Sequence, residues 1–125
     1  TTVTHMKKIL IIDDSTSIRN LIKHALSEID DLEIVEAENG FEGLEEIKSH
    51  NFDVVLCDCD MPVMGGIEMI SKTRKTLYKS TPFIGLATKA ELDKYNLMTQ
   101  AGAESILIKP LSPKEIKSEV SEYVL

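Results

Sequence analysis

Residues 54–62 constrain the fold more than any other part of the chain. An apolar run leads straight into the carboxylate of Asp58, and the turn formers Pro62, Gly65 and Gly66 follow within a few positions. A short apolar run that ends in turn-forming residues is typical of a strand buried on both faces. A charge at the end of such a strand is costly unless another group pairs with it. The pattern therefore predicts that other segments supply partners for Asp58.

Four more apolar segments have the same character, at residues 9–12, 34–35, 83–87 and 106–108. Between them, apolar residues recur at helical spacing. The predicted helices lie at residues 18–29, around Phe41, Leu44 and Ile47, around Ile67, Ile70 and Leu77, at residues 91–101 before Gly102, and around Ile116, Val120 and Val124. Five strands that alternate with five helices require a parallel sheet with helices on both faces. The predicted class is α/β, a doubly wound (βα)5 three-layer sandwich.

Polar residues end four of the five predicted strands: Asp13-Asp14, Asp58, Thr88 and Lys109. Ligands of such sheets bind beyond the carboxyl ends of the strands. Three neighbouring carboxylates repel one another, and Lys109 alone cannot balance them. A hard divalent cation with oxygen ligands, Mg²⁺, resolves this. Metal and lysine together suit phosphoryl transfer to a carboxylate nucleophile, and the Thr88 hydroxyl is a candidate donor to the phosphoryl group.

Each of these residues also has an ordinary structural interpretation. Asp13 and Asp14 are favourable at a helix N-terminus, and Asp58 is close to a turn. Thr88 is a common turn residue, and a lysine at a strand end is usually solvated. Because all of them fall on one predicted sheet edge, a functional site is favoured over independent structural roles.

At these positions the sequence resembles the receiver domains of bacterial two-component response regulators, those of chemotaxis regulators in particular. The matching segments are Ile11-Ile12-Asp13-Asp14-Ser15, Asp58-Cys59-Asp60-Met61-Pro62-Val63-Met64-Gly65-Gly66, Leu86-Ala87-Thr88 and Ile108-Lys109-Pro110. The resemblance extends from Lys7 to the C-terminus. It implies a flavodoxin-like fold with a five-stranded parallel sheet in the order 2-1-3-4-5.

The resemblance also implies roles for individual residues. Asp58 is the expected phosphoacceptor, with a sensor histidine kinase or histidine phosphotransfer protein as donor. The implied Mg²⁺ ligands are Asp13, Asp14, Asp58 and the backbone carbonyl of Asp60. Lys109 is expected to pair with the phosphoryl group, Thr88 to move toward it, and the Lys109–Pro110 bond to be cis. The fourth helix, fifth strand and fifth helix form the implied face for an unknown downstream effector.

Three positions bear on how the site is tuned. Ile106 stands where the family usually has an aromatic residue that takes part in the switch with Thr88, so the output is expected to rely on the helix after Thr88. Lys89 replaces a small residue, and it either covers the site, contacts the phosphoryl group or is simply solvated. Asp60, two positions after Asp58, is expected to tune the lifetime of the phosphoryl group.

The composition limits the possible binding partners and the cellular location of the protein. A net charge of -7 argues against direct binding to nucleic acid or to an anionic membrane surface. No apolar run is long enough to span a membrane. Cys57 and Cys59 are too close in sequence for an unstrained disulfide, which favours the cytoplasm. Residues 6–125 are expected to form one domain, as a monomer or weak dimer, and residues 1–5 a cloning remnant or disordered N-terminus.

Two other function classes remain open from the sequence. The Asp58-Cys59-Asp60 segment also resembles the paired aspartates of haloacid-dehalogenase-type phosphatases, although that family does not explain Asp13-Asp14. A binding module is the third class, either for a flavin or as a receiver that signals without phosphate. The leading interpretation is a signalling domain that catalyses its own phosphorylation and dephosphorylation and is not an enzyme with an external substrate.

Overall fold

The computed structural model describes residues 6–125, and the expectation for residues 1–5 lies outside this range. One parallel sheet contains β1 (Lys7–Ile12), β2 (Leu32–Ala37), β3 (Val54–Asp58), β4 (Phe83–Thr88) and β5 (Ser105–Lys109). The strand order is β2-β1-β3-β4-β5. The predicted α/β class, the parallel sheet and its order are therefore confirmed.

Helices cover both faces of the sheet: α1 (Thr16–Ala25), α2 (Gly40–Ser49), α3 (Gly66–Lys75), α4 (Leu92–Ala101) and α5 (Pro113–Val124). Successive side chains of a strand point to opposite faces. In β3, Val54 and Leu56 pack with α1 and α5, while Val55 and Cys57 pack with the other three helices. Two apolar cores thus enclose the sheet, which makes three layers. Across residues 6–125, no helix combines the length and the apolar character that a membrane span requires.

Two helices end earlier than their apolar spacing predicts. α1 ends at Ala25 and α3 at Lys75, so Ile29 and Leu77 lie in the turns that follow. Ile29 is nevertheless buried and donates its amide to the carbonyl of Leu26. Apolar residues in these turns keep helical spacing because they still contact the core after the helical hydrogen bonds have stopped.

The fourth helix begins differently from the prediction. A 3-10 turn (Lys89–Glu91) joins β4 to α4, so the chain starts to coil directly after Thr88. This turn is stabilised by a Thr-x-x-Glu pattern, in which the carboxylate of Glu91 accepts the amide of Thr88. At the other end, Gly102 has a φ of 122° and terminates α4 as predicted.

Gly66 allows α3 to begin directly against the end of β3. A Cβ atom at this position would lie 2.3 Å from the carbonyl oxygen of Asp58 and 3.1 Å from Cys57 Sγ. Only a residue without a side chain fits such a close approach. The glycine therefore fixes the backbone of Asp58 at the sheet edge.

Candidate functional site

Asp13 and Asp58 lie side by side at the carboxyl edge of the sheet. Ile12 and Cys57, which precede them, are paired in the register of β1 and β3. Asp13 is fully buried and Asp58 is 5% exposed. Two carboxylates therefore sit close together with little access to water, as their positions in the sequence predicted.

Lys109 bridges the two buried carboxylates. Its Nζ lies 3.1 Å from Asp13 Oδ2 and 3.3 Å from Asp58 Oδ1. Burial favours the neutral amine, but the negative charges of Asp58 and Asp13 outweigh it, and the pKa of Lys109 lies above its ordinary value. The lysine is therefore charged. Separately, the peptide bond between Lys109 and Pro110 is cis, as expected.

One lysine does not balance the negative charge of this pocket. Burial and the neighbouring Asp13 carboxylate raise the pKa of Asp58 to about 6, although Lys109 acts in the opposite direction. Asp14 adds a third, exposed carboxylate at the rim. The pocket therefore has a deficit of positive charge.

The residues of the pocket suit a hard divalent cation. Carboxylate oxygens from Asp13, Asp14 and Asp58 lie within 4.8 Å of one another. Magnesium prefers oxygen ligands and retains several waters, which an exposed carboxylate such as Asp14 permits. Asp60 is exposed in the loop after β3 and, with Asp14, lines the same surface depression. The donor set and the excess of negative charge fit Mg²⁺.

Asp13 is fixed through both its side chain and its backbone. Its Oδ1 accepts the amide of Ser15 at 2.9 Å, but Ser15 itself is the N-cap of α1, so Asp13 does not cap the helix as the structural interpretation proposed. Its carbonyl oxygen accepts Arg19 Nη1 at 2.6 Å. Arg19 is 7% exposed, and its Nε also donates to Glu36 at 2.9 Å. In the sequence, the only indication that Arg19 faces inward is its position three residues before the core residue Ile22.

Thr88 ends β4 on the same edge, paired in register with Lys109. Its backbone amide and its hydroxyl lie 2.8 Å and 3.0 Å from the same Glu91 oxygen, Oε1. Sequence reasoning missed Glu91 because it took this residue as the start of the fourth helix, although the Thr-x-x-Glu spacing was visible. The Thr88 hydroxyl is thus engaged by a carboxylate of its own loop.

The remaining candidate residues surround this loop. Lys89 is exposed, and Ile106 is half-buried against the core on the α4 side. Asp60, whose side chain is 68% exposed, forms a 3.2 Å ion pair with Lys94 of α4. That pair joins the loop after β3 to α4, and nothing in the sequence pattern indicated it.

Both cysteines are buried free thiols. Burial raises the pKa of Cys57 well above its ordinary value and that of Cys59 to about 12. A thiol must ionise to act as a nucleophile or metal ligand. Both sulfurs are therefore protonated at neutral pH, in agreement with the prediction of a buried, inert thiol for Cys57.

Comparisons with known proteins point to one family. A family model described as the response regulator receiver domain matches residues 9–121. Chemotaxis protein CheY1 of Helicobacter pylori is 31% identical over 120 residues, which cover 94% of this chain and 96% of that protein. The transcriptional regulatory protein SrrA of Staphylococcus aureus is 38% identical over 109 residues, which cover 87% of this chain and 44% of SrrA.

Solved structures agree with these sequence matches. Chemotaxis response regulator CheY4 of Vibrio cholerae has a TM-score of 0.83 and 33% identity, covering 95% of this chain and 99% of that one. A CheY-like response regulator receiver domain protein from Methanospirillum hungatei has a TM-score of 0.83 and 31% identity, covering 94% and 92% of the two chains. The range of the family match includes every residue of the acidic pocket.

Proposed function

This chain belongs to the response regulator receiver domain family of two-component systems, and from this premise we propose that Asp58 is its phosphoacceptor. The observation that carries the proposal is the bridge of Lys109 across Asp58 and Asp13, two buried carboxylates at the centre of the sheet edge. Because the chain belongs to this family, the phosphatase and flavin-binding functions that the sequence left open are no longer favoured. A receiver that signals without phosphate remains as an outcome of the test below.

The proposed reaction is an in-line transfer to Asp58. One carboxylate oxygen forms a bond to phosphorus while the bond from phosphorus to the donor's histidine nitrogen breaks, and that nitrogen keeps the electron pair. Lys109 is charged and only 3.3 Å from Asp58, so it is placed to offset the charge of the incoming phosphoryl oxygens. The Thr88 hydroxyl is proposed to donate to one of those oxygens after transfer.

We propose that Mg²⁺ binds in the same pocket. Asp13, Asp14 and Asp58 would hold it through carboxylate oxygens, together with the backbone carbonyl of Asp60. When bound, the ion neutralises negative charge on the phosphoryl group during transfer. The fit of three clustered carboxylates to an oxygen-seeking cation supports this assignment.

The family is one of signalling domains and not of classical enzymes. We propose that the pocket catalyses both phosphorylation and slow dephosphorylation of Asp58. We propose that Asp60, two positions after Asp58 and paired with Lys94, influences the attacking water, and exposed Lys89 is a second candidate for tuning. Equal dephosphorylation rates for Asp60→Asn and the parent would remove the role of Asp60.

The proposed phosphoryl donor is a sensor histidine kinase or a histidine phosphotransfer protein. The proposed effector surface is formed by α4, β5 and α5, where the large hydrophobic residues Leu92 and Tyr95 are 58% and 40% exposed. The candidate switch residues are Ile106 of β5 and Thr88, which ends the neighbouring strand β4. A cytoplasmic location is proposed from the two reduced thiols.

Incubation with acetyl phosphate tests the function directly. The folded protein with Mg²⁺ should gain one phosphoryl group by intact-mass spectrometry, and Asp58→Asn should gain none. A parent protein that stays unmodified would leave the phosphate-independent receiver as the better account.

A further inference from the structure

Thr88 has only one hydroxyl proton to donate. In this structure that hydroxyl lies 3.0 Å from Glu91 Oε1, which also accepts the backbone amide of Thr88 at 2.8 Å. Bonds to a charged acceptor are stronger than bonds between neutral groups. Thr88 therefore cannot donate to a group on Asp58 while its hydroxyl proton is directed at Glu91.

Glu91 also lies beside the acceptor itself. An oxygen of its carboxylate, an oxygen of Asp58 and the sulfur of Cys59 all lie within 4.8 Å of one another. On its other side, Lys94 Nζ lies 3.9 Å from Glu91 and 3.2 Å from Asp60. Glu91 thus connects Thr88, the edge of the acceptor pocket and the first turn of α4.

We propose that Glu91 is a positioning residue that withholds the Thr88 hydroxyl from the acceptor pocket until a phosphoryl group on Asp58 displaces it. The inference rests on the proposed function of Asp58 and extends it to a residue outside the acidic pocket. Glu91 acts through Thr88 and has no part in the transfer itself.

Electrostatic repulsion would separate Glu91 from Thr88. A phosphoryl group carries a charge of about -1.5 to -2, which replaces the single negative charge of the Asp58 carboxylate, and this group would lie close to the Glu91 carboxylate. Like charges repel, and at the same moment the phosphoryl oxygens offer Thr88 another charged acceptor. Both effects favour the state in which Thr88 has left Glu91.

A movement of Glu91 would be transmitted directly to α4. Glu91 is the residue immediately before α4, and Lys94 in the first turn of that helix contacts both Glu91 and Asp60. A change at Thr88 can therefore pass along the backbone and the ion pairs of this turn. Such a route needs no aromatic side chain at position 106, where this chain has Ile106.

Glu91→Gln tests the proposal because it removes the charge and keeps the size of the side chain. The readout is the affinity for trifluoroberyllate, a phosphoryl mimic, titrated with Mg²⁺ present and followed by ¹⁹F NMR. Weakening a charge-assisted hydrogen bond that competes with the mimic should tighten binding on the order of tenfold. An affinity equal to that of the parent would overturn the proposal.

Glu42→Gln is the matched control. Glu42 occupies the same third position after the N-cap Asn39 of α2, and its carboxylate accepts Asn39 Nδ2 at 3.1 Å. The two substitutions remove the same charge from the same position of a helix start, but Glu42 does not contact Thr88. Glu42→Gln should leave the affinity within about twofold of the parent.

A double-mutant cycle separates positioning from plain charge repulsion. If Glu91 acts through the Thr88 hydroxyl, the gain from Glu91→Gln should disappear in a Thr88→Ala background. A gain of equal size in that background would show that Glu91 acts through its charge alone, which contradicts the proposal.

Failure of the underlying function gives a different result. A parent protein that does not bind the mimic, or that binds it equally well as Asp58→Asn, contradicts the proposed acceptor. If Glu91→Gln does not fold, amide spectra of the parent decide the matter, because saturation with the mimic should shift the Thr88 and Lys94 amides. A Thr88 amide that does not move would overturn the role of Glu91.

Discussion

Lys109 Nζ and Asp58 Oδ1 lie only 3.3 Å apart, yet the pKa of Asp58 is about 6, well above its ordinary value of 3.8. Burial and the adjacent Asp13 carboxylate raise this pKa by more than the lysine lowers it. The ionised form of Asp58 is thus held at a cost in stability, which a bound cation would relieve.

The first prediction concerns stability and pH. Between pH 3.8 and about 6 the folded protein holds a proton on Asp58 that the unfolded chain releases, so Asp58 reduces stability as the pH rises through this window. Asp58→Asn should therefore stabilise the metal-free protein at neutral pH by up to about 3 kcal/mol. The gain should vanish below pH 3.8. Urea unfolding across this range measures it, and a gain that stays the same at every pH would contradict the prediction.

Magnesium should stabilise the fold. A ligand that binds only the native state raises the free energy of unfolding with its concentration. We expect the melting temperature to rise with added Mg²⁺, and Asp13→Asn to abolish most of the rise because it removes a buried carboxylate ligand. An equal rise in Asp13→Asn and in the parent would place the ion elsewhere on the protein.

Arg19 should hold Asp13 in the orientation that the proposed Mg²⁺ site requires. Its Nη1 donates to the Asp13 carbonyl at 2.6 Å, and a lysine cannot donate there and to Glu36 through one rigid fork. Loss of a group that orients a metal ligand typically costs about tenfold or more in affinity. Arg19→Lys should therefore weaken Mg²⁺ binding on that order, measured by calorimetry.

Arg74→Lys provides the comparison for this effect. Arg74 also donates to backbone carbonyls, those of Lys79 and Gly102, and lies over the ring of Phe83, but it does not contact the acidic pocket. It should lower stability without changing Mg²⁺ affinity. Equal affinity losses in the two variants would mean that Arg19 acts only through overall stability.

Gly66→Ala should disturb the acceptor through its backbone. The added Cβ would lie 2.3 Å from the Asp58 carbonyl oxygen, so the start of α3 or the end of β3 must shift. Overpacking of this kind costs about 1–3 kcal/mol, and we expect a matching loss of Mg²⁺ affinity. Gly65→Ala, whose Cβ would lie 3.1 Å from the Cys59 carbonyl oxygen, should be milder on both counts. The reverse order would show that close packing at Gly66 does not position Asp58.

The sheet and the grouping of acidic residues could be predicted because both depend on short-range patterns. Asp13, Asp58 and Lys109 each follow an apolar run, and in a parallel sheet such runs all end at one edge. The strand order came from family resemblance, since apolar runs alone do not specify which strands are neighbours.

The connections between the residues of the site could not be predicted in the same way. Lys94 reaches Asp60 and Arg19 reaches the Asp13 carbonyl only because of side-chain directions fixed by tertiary packing. Glu91 is the exception, because its spacing from Thr88 is a recognisable capping pattern. The sequence reading missed it by taking Glu91 as the beginning of a regular helix.

The most direct test of this account is to locate the phosphoryl group. After acetyl phosphate treatment with Mg²⁺, borohydride reduction converts an acyl phosphate on aspartate to homoserine, which peptide mass spectrometry places in the chain. The account predicts homoserine at position 58, and none when Mg²⁺ is chelated. Modification at Asp13, Asp14 or Asp60, or equal labelling without the metal, would contradict it.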